Sequence, residues 1–263
     1  MATATVTVAL AAASTLVVLM GSSTTRVVAP TIAGASIGVA ASPTAVPVAV
    51  VERPAPVATQ TTIAQVRGPV AYSAEPDGPP VGTLPTGSWW STTKFLPVIA
   101  QAPGWLQVRL PQRPNGLTGW IPADQAQLSA TTYGIVINVV THRLQVYDGG
   151  RLTLDFPAGV GTPDDPTPLG DFYVMEFGAS RGPGWGPFLL ATNAHSEAIS
   201  SWEGSGDAFT AIHGPLGADA AIGDTGGEIS HGCVRLHSAD LAQLQPIPPG
   251  TPIVITAEPP SPW

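Results

Sequence analysis

Cys233 is the only cysteine in a chain of 263 residues, and it stands in Ile229–Leu236, "ISHGCVRL", with His231 two positions before it and Arg235 two after. A thiol attacks a carbonyl as its thiolate, and a free cysteine with a pKa near ~8.5 is only a few per cent ionised at neutral pH. A useful nucleophile therefore needs a base and a nearby positive or dipolar group. Two histidines could serve as the base. His231, in an extended segment, would put its side chain on the same side as Cys233. His213 lies upstream in Ala-Ile-His-Gly. Glycines flank both positions, at Gly214 and Gly232, and a glycine allows the sharp bend that would turn the amides of 232 and 233 toward a developing oxyanion. Arg235 supplies a fixed positive charge suited to a substrate carboxylate. These residues read as a Cys–His acyl-transfer site with some anion binding, and either histidine fits the role of base.

Two other readings stay open on residue types alone. A lone cysteine can be a small buried hydrophobe. Zinc could use Cys233, His213, His231 and His237, although the chain has no second cysteine and no His-x-x-x-His pair. His142, beside Arg143, and His195, inside a long Gly- and Ser-rich segment, read as surface residues.

The elements that must position these groups are mostly strands. "YGIVINVVTHRLQVYDGGRLTLDFPAGVG" reads as two or three strands with a tight turn at Asp148-Gly149-Gly150. A Pro/Gly-rich loop follows, then a strand from Phe172. Gly178 to Asp207 is a long connection headed by Gly-Pro-Gly-Trp-Gly, of the kind that forms lids and binding loops. "AFTAIHG" is a short strand ending at His213, "HSADLAQLQ" the best helix candidate, and "GTPIVITA" a last strand. Upstream, residues 62–128 alternate short β-prone runs with Pro/Gly turns. In Trp105–Leu110 the period-2 pattern marks a half-buried strand.

Composition agrees with a mainly β chain. Charged residues are 11%, there are 29 glycines and 29 prolines, and Lys and Glu are scarce. The net charge of −8, with basic residues scattered singly, argues against a nucleic-acid partner, because phosphate binding needs clustered Lys and Arg. A single cysteine excludes an internal disulfide framework. At the N-terminus, Val6–Met20 is an apolar run of signal-peptide length with no basic residue ahead of it, followed by Arg26 and a second apolar run containing Ala33-Gly34-Ala35. Export, by cleavage or with a retained membrane tether, is the expectation. The Ala/Pro/Thr-rich stretch after it reads as an extended spacer. In an oxidising compartment an odd cysteine calls for a use.

Two resemblances follow from these segments. Trp105–Arg109 and Gly119-Trp120-Ile121 are similar to the closing strands of bacterial SH3-like barrels. Trp89, Trp90, Trp105 and Trp120 are then either its core or a binding platform. "AIHG" followed by "SHGCVRL" closely resembles the signature of the L,D-transpeptidases, the YkuD-type peptidoglycan enzymes, and the likeness extends over most of residues 132–256, including Thr167-Pro168-Leu169-Gly170-Asp171-Phe172. The resemblance implies a small SH3-like barrel at 61–130, after a leader and linker at 1–60. It also implies a β-sandwich-like catalytic domain at 131–257 with a short helix and a lid loop, then a tail at 258–263. It implies Cys233 as nucleophile, His213 as base oriented by the Gly214 carbonyl, and an oxyanion and substrate site from Ser230, His231, Gly232, the Cys233 amide and Arg235, with Trp202 on the lid. Pro215 stands where the family often has Thr or Ser.

The implied reaction forms 3→3 cross-links between peptidoglycan stems through a cysteinyl thioester, releasing D-Ala, with no metal or cofactor and with carbapenem-type inhibitors. The implied setting is the cell envelope. Hydrolysis of the same acyl-enzyme, as an L,D-carboxypeptidase, and a non-catalytic wall-binding protein are the alternatives.

Overall fold

The computed structural model describes residues 58–85, 93–202, 204–223 and 227–258. The expected leader and nearly all of the linker, together with Trp89 and Trp90, lie outside these residues. Among the described residues no helix is long and apolar enough to cross a membrane.

The chain is mainly β. The first sheet is built from β1 (Thr61–Arg67), β2 (Ala71–Ser73), β3 (Pro80–Thr83), β4 (Thr93–Ala102), β5 (Trp105–Arg109), β6 (Thr118–Pro122) and β7 (Ala126–Thr131). These pair antiparallel in the order β3-β2-β6-β5-β4-β1-β7. Strand β5 shows why the alternating pattern was readable: Leu106 and Val108 are buried while Trp105, Gln107 and Arg109 on the other face are half-exposed. Trp105 and Trp120 are thus not core residues. The core is mainly aliphatic, with Val66, Leu84, Leu96, Val108 and Ile121, its aromatic members are Tyr72 and Tyr173, and Trp105 instead donates its indole N–H to Asp77 at 3.0 Å.

The second sheet contains β8 (Tyr133–Asn138), β9 (Arg143–Asp148), β10 (Arg151–Pro157), β12 (Gly170–Ala179), β13 (Phe188–His195), β14 (Phe209–His213), β16 (Val234–Arg235) and β17 (Pro252–Thr256). A parallel pair, β11 (Val160–Gly161) with β15 (Glu228–Ser230), flanks it, and the one α-helix among the described residues, α1, spans Ser238–Ala242. The order is β10-β9-β8-β17-β12-β13-β14-β16. Leu144 and Phe156 from one end and Ile212 and Val234 from the other share one apolar cluster, so this sheet curls around a common core. A two-way backbone bridge at 2.8 Å between Gly159 and Arg235 joins the chain beyond β10 to β16.

Strand β13 overturns the expectation of a continuous lid. The connection 178–207 is two loops flanking a strand whose eight residues, "FLLATNAH", are all buried. Covered on both faces, β13 lacks the polar–apolar alternation by which a strand is recognised. His195, expected at the surface, is its last residue, 1% exposed, with its ring 4.5 Å from that of Phe209.

Strand β12 ties the two sheets together. Phe172 and Val174 enter the core of the second sheet, whereas Tyr173, fully buried, and Met175 pack into that of the first. Full burial of an aromatic side chain contributes about 2–3 kcal/mol. Polar bonds reinforce this junction. Asn115 holds both backbone groups of His195, accepting from N at 2.9 Å and donating to O at 2.8 Å. Arg113 donates to Asp207 at 2.8 Å and to the Ile199 carbonyl at 3.1 Å, and Arg109 donates to Asp171 at 2.7 Å.

Candidate active site

Strands β14 and β16 run parallel with Ile212 opposite Val234 and His213 opposite Arg235, so the two sequence motifs meet side by side. The turn entering β16 is clamped by Ser230, whose hydroxyl donates to the Cys233 carbonyl and accepts the Gly232 N–H at 3.2 Å. Gly232 takes φ +105°, where a side chain would strain the backbone. The Gly232 N–H, expected to face an oxyanion, is here engaged by the Ser230 hydroxyl.

His213 is buried, and its Nδ1 lies 2.8 Å from the Gly214 carbonyl oxygen. A carbonyl only accepts, so Nδ1 carries the proton and Nε2 keeps the lone pair. The loop 180–187 seats this corner. Gly214 donates to the Trp185 carbonyl at 2.8 Å, Leu216 to that of Gly184 at 2.9 Å, and the Trp185 ring lies 4.6 Å from the imidazole. A Cβ at 214 would stand 2.6 Å from Gly184 O, Gly186 N and Trp185 C, so only glycine fits there.

Cys233, His213, Ser230, His231, Arg235 and Trp202 line one cavity of about 190 Å³. His231 is exposed at its mouth, 5.5 Å from the Trp202 ring and with Nε2 3.8 Å from Asp165. The structure therefore separates the two histidines that the sequence left as alternative bases: His213 is buried with an oriented ring, and His231 sits at the rim. His237 does not line the cavity and faces Asp219 at 3.6 Å. Among the described residues no group of three metal-ligating side chains comes together. Sequence reasoning missed Trp185, although its Gly-Pro-Gly-Trp-Gly setting marked a tight loop.

Electrostatics set a neutral resting pair. Burial pulls the His213 imidazole down to about 4; the Gly214 hydrogen bond opposes this and the Arg235 charge adds to it. Burial pushes the Cys233 thiol up, against smaller lowering by a hydrogen bond with the Ala211 backbone and by Arg235. Burial lowers the Arg235 guanidinium, opposed in part by Cys233, and its buried Nε has no hydrogen-bond partner. Such an arginine is ready for an incoming anion.

Asp207, which also lines the cavity, meets His195 Nδ1 at 2.9 Å as well as Arg113. Burial would raise its carboxyl, but the bonds from His195, the Ala208 amide and Arg113 together hold it below the ordinary value.

Residues 132–255 match the family model of the L,D-transpeptidase catalytic domain, YkuD. The putative L,D-transpeptidase YkuD of Bacillus licheniformis is 27% identical over 125 residues, 47% of this chain and 66% of that protein. Its counterpart in Bacillus subtilis strain 168 is 31% identical over 124 residues, 47% and 65% of the two chains. The chain thus spans just under two thirds of the length of these relatives. Among solved structures, an L,D-transpeptidase from Mycobacterium smegmatis aligns over 60% of this chain and 80% of its own, with 19% identity and a TM-score of 0.37. L,D-transpeptidase 3 from Mycobacterium tuberculosis, in complex with a faropenem-derived adduct, aligns over 57% and 90%, with 13% identity and a TM-score of 0.38.

Proposed function

We propose that this protein is a peptidoglycan L,D-transpeptidase that uses Cys233 as nucleophile and His213 as general base, preceded by an SH3-like module. The observation that carries this reading is the His213–Gly214 hydrogen bond, which leaves Nε2 as a proton acceptor in the cavity shared with Cys233. The family match over 132–255 supplies the substrate class.

The thiol and imidazole start neutral, so the proton moves as the bond forms. Sγ attacks the carbonyl of the L,D-peptide bond of a tetrapeptide stem while His213 Nε2 takes the thiol proton. The Cys233 amide stabilises the oxyanion, and Arg235 holds a stem carboxylate. Collapse breaks the C–N bond, and the departing D-Ala amine takes the proton from His213. The side-chain amine of a diaminoacyl residue on a second stem then attacks the thioester. It loses a proton to His213, and the thiolate leaves and is reprotonated, giving a 3→3 cross-link. A carbapenem offers the same pairing of reactive carbonyl and carboxylate and would acylate Cys233. On this reading the protein acts in the cell envelope, after export.

The test is incubation of wild type and Cys233→Ala with disaccharide-tetrapeptides, read by mass spectrometry. The expected result is a cross-linked dimer from the wild type alone. Tripeptide without dimer would assign hydrolysis instead, and equal inactivity of both proteins would refute the catalytic reading.

A further inference from the structure

Lys94 and Glu176 are charged residues that the cysteine chemistry does not use. They face a second cavity, of about 290 Å³, between β4 of the first sheet and β12 of the second. That volume is close to the lower bound of small-molecule sites, roughly 300 Å³. Phe95, Tyr173, Met175 and Phe209 provide apolar walls.

Lys94 is 8% exposed. Its Nζ and the Oε1 of Glu176 are both shut off from solvent, and neither has a hydrogen-bond partner. The two side chains form no ion pair with each other among the described residues, yet each feels the other's charge. Burial lowers the Lys94 ammonium and Glu176 opposes that; burial raises the Glu176 carboxyl and Lys94 opposes that. A buried lysine and a half-buried glutamate with one covered oxygen, at one cavity and not paired, are unfavourable as fold-stabilising elements, since apolar residues of similar volume would pack there without desolvation cost. With each side chain turned into the cavity, the same arrangement suits a ligand that brings a carboxylate to Lys94 and an ammonium to Glu176 at once. A simple anion or cation completes only one side, and a neutral sugar completes neither.

We propose that this cavity is a binding site for the zwitterionic head group of an amino acid, one carbon bearing both ammonium and carboxylate, with an apolar side chain lying along Phe95, Met175 and Phe209. Asp207 and Phe209 line this cavity and the cysteine cavity alike, so the two sites share a wall. An occupant here would press on the residue that carries the Arg113 and His195 bonds. The D-alanine released in the proposed reaction is of this chemical class, but binding itself does not depend on that reaction.

The test is calorimetric titration of the full chain with D- and L-leucine, leucinamide and 4-methylpentanoate. At least one leucine enantiomer should bind saturably, and the amide and the acid, each lacking one charge, should bind about ten-fold or more weakly. Lys94→Met and Glu176→Gln should each weaken leucine by a similar factor. Cys233→Ala, which cannot form a thioester, should bind as the wild type does, so failure here is separable from failure of the transpeptidase reading. A thermal melt guards against misfolding: the double variant Lys94→Met/Glu176→Leu should melt at or above the wild-type temperature while losing the ligand. No saturable binding of either enantiomer up to about 10 mM, weaker than a useful site, would overturn the proposal. So would unchanged binding in Lys94→Met, or a double variant that melts well below wild type, which would make the charges structural partners.

Discussion

At the β14–β16 corner the side-chain bonds that orient the reacting groups run to partners a few residues away: His213 to Gly214, and Ser230 to Gly232 and Cys233. At the junction of the two sheets the partners are distant in sequence. Asn115 holds His195, Arg113 holds Asp207, and Tyr173 of β12 fills the core of the first sheet. The corner also reduces charge, with a neutral thiol and a neutral imidazole at rest, whereas at the junction cavity Lys94 Nζ and Glu176 Oε1 are left without hydrogen-bond partners. The contrast separates two jobs: local bonds set the orientation of reacting atoms, and long-range contacts set the shape of the walls around them.

If the corner does the chemistry, the largest effect should come from His213→Ala. Loss of a general base lowers kcat/KM by about 10²–10⁴-fold, and His231→Ala at the rim should cost far less. Rates of Cys233 alkylation and of cross-link formation would show it, and equal losses would undo the distinction between the two histidines. The next largest effect belongs to the junction. Tyr173→Ala should destabilise the fold by about 3–5 kcal/mol, measured by denaturant unfolding, and the two sheets should lose stability together because β12 serves both cores.

A subtler test concerns protons. With His213 held near 4, the base stays unprotonated through the neutral range, so the acid limb of kcat/KM should lie near pH 4 rather than near 6.5. Removing the positive charge in Arg235→Met makes the imidazolium easier to form, so the limb should move to higher pH; a limb that stays put would remove Arg235 from the electrostatics of the pair. The smallest effect is expected for Arg113→Ala. Its bonds to Asp207 and Ile199 are partly exposed, and their loss should lower kcat/KM only a few-fold, as for a pair contributing about 1 kcal/mol, with steady-state kinetics as the readout. A drop as large as that of His213→Ala would mean that the junction takes part in the chemistry.

Much of the corner was legible because its residues lie in two short motifs whose spacing can be read directly. Hairpin β9–β10 was legible from Asp148-Gly149-Gly150, where both glycines take positive φ, and β5 from its alternation. The placement of His195 was not, because a strand covered on both faces carries no period. The role of Trp105 and Trp120 also escaped the sequence, since aromatic residues serve equally as core or as outer face. The choice between His231 and His213 was made by resemblance alone, and the structure supplies its physical content: burial and a carbonyl partner for one, exposure for the other.

By itself the sequence determined the reactive inventory of this protein: one thiol, a His-Gly pair, a turn that needs glycine at 232, and a mainly β chain. Residue type and short-range spacing suffice for that, because nucleophilicity and backbone freedom are local properties. Only the tertiary structure decided that the Gly232 amide is tied to Ser230, that β12 serves two cores, and that Lys94 and Glu176, 82 positions apart, meet at one cavity without touching. Burial and distance govern those outcomes, and both arise from packing between strands that lie far apart along the chain.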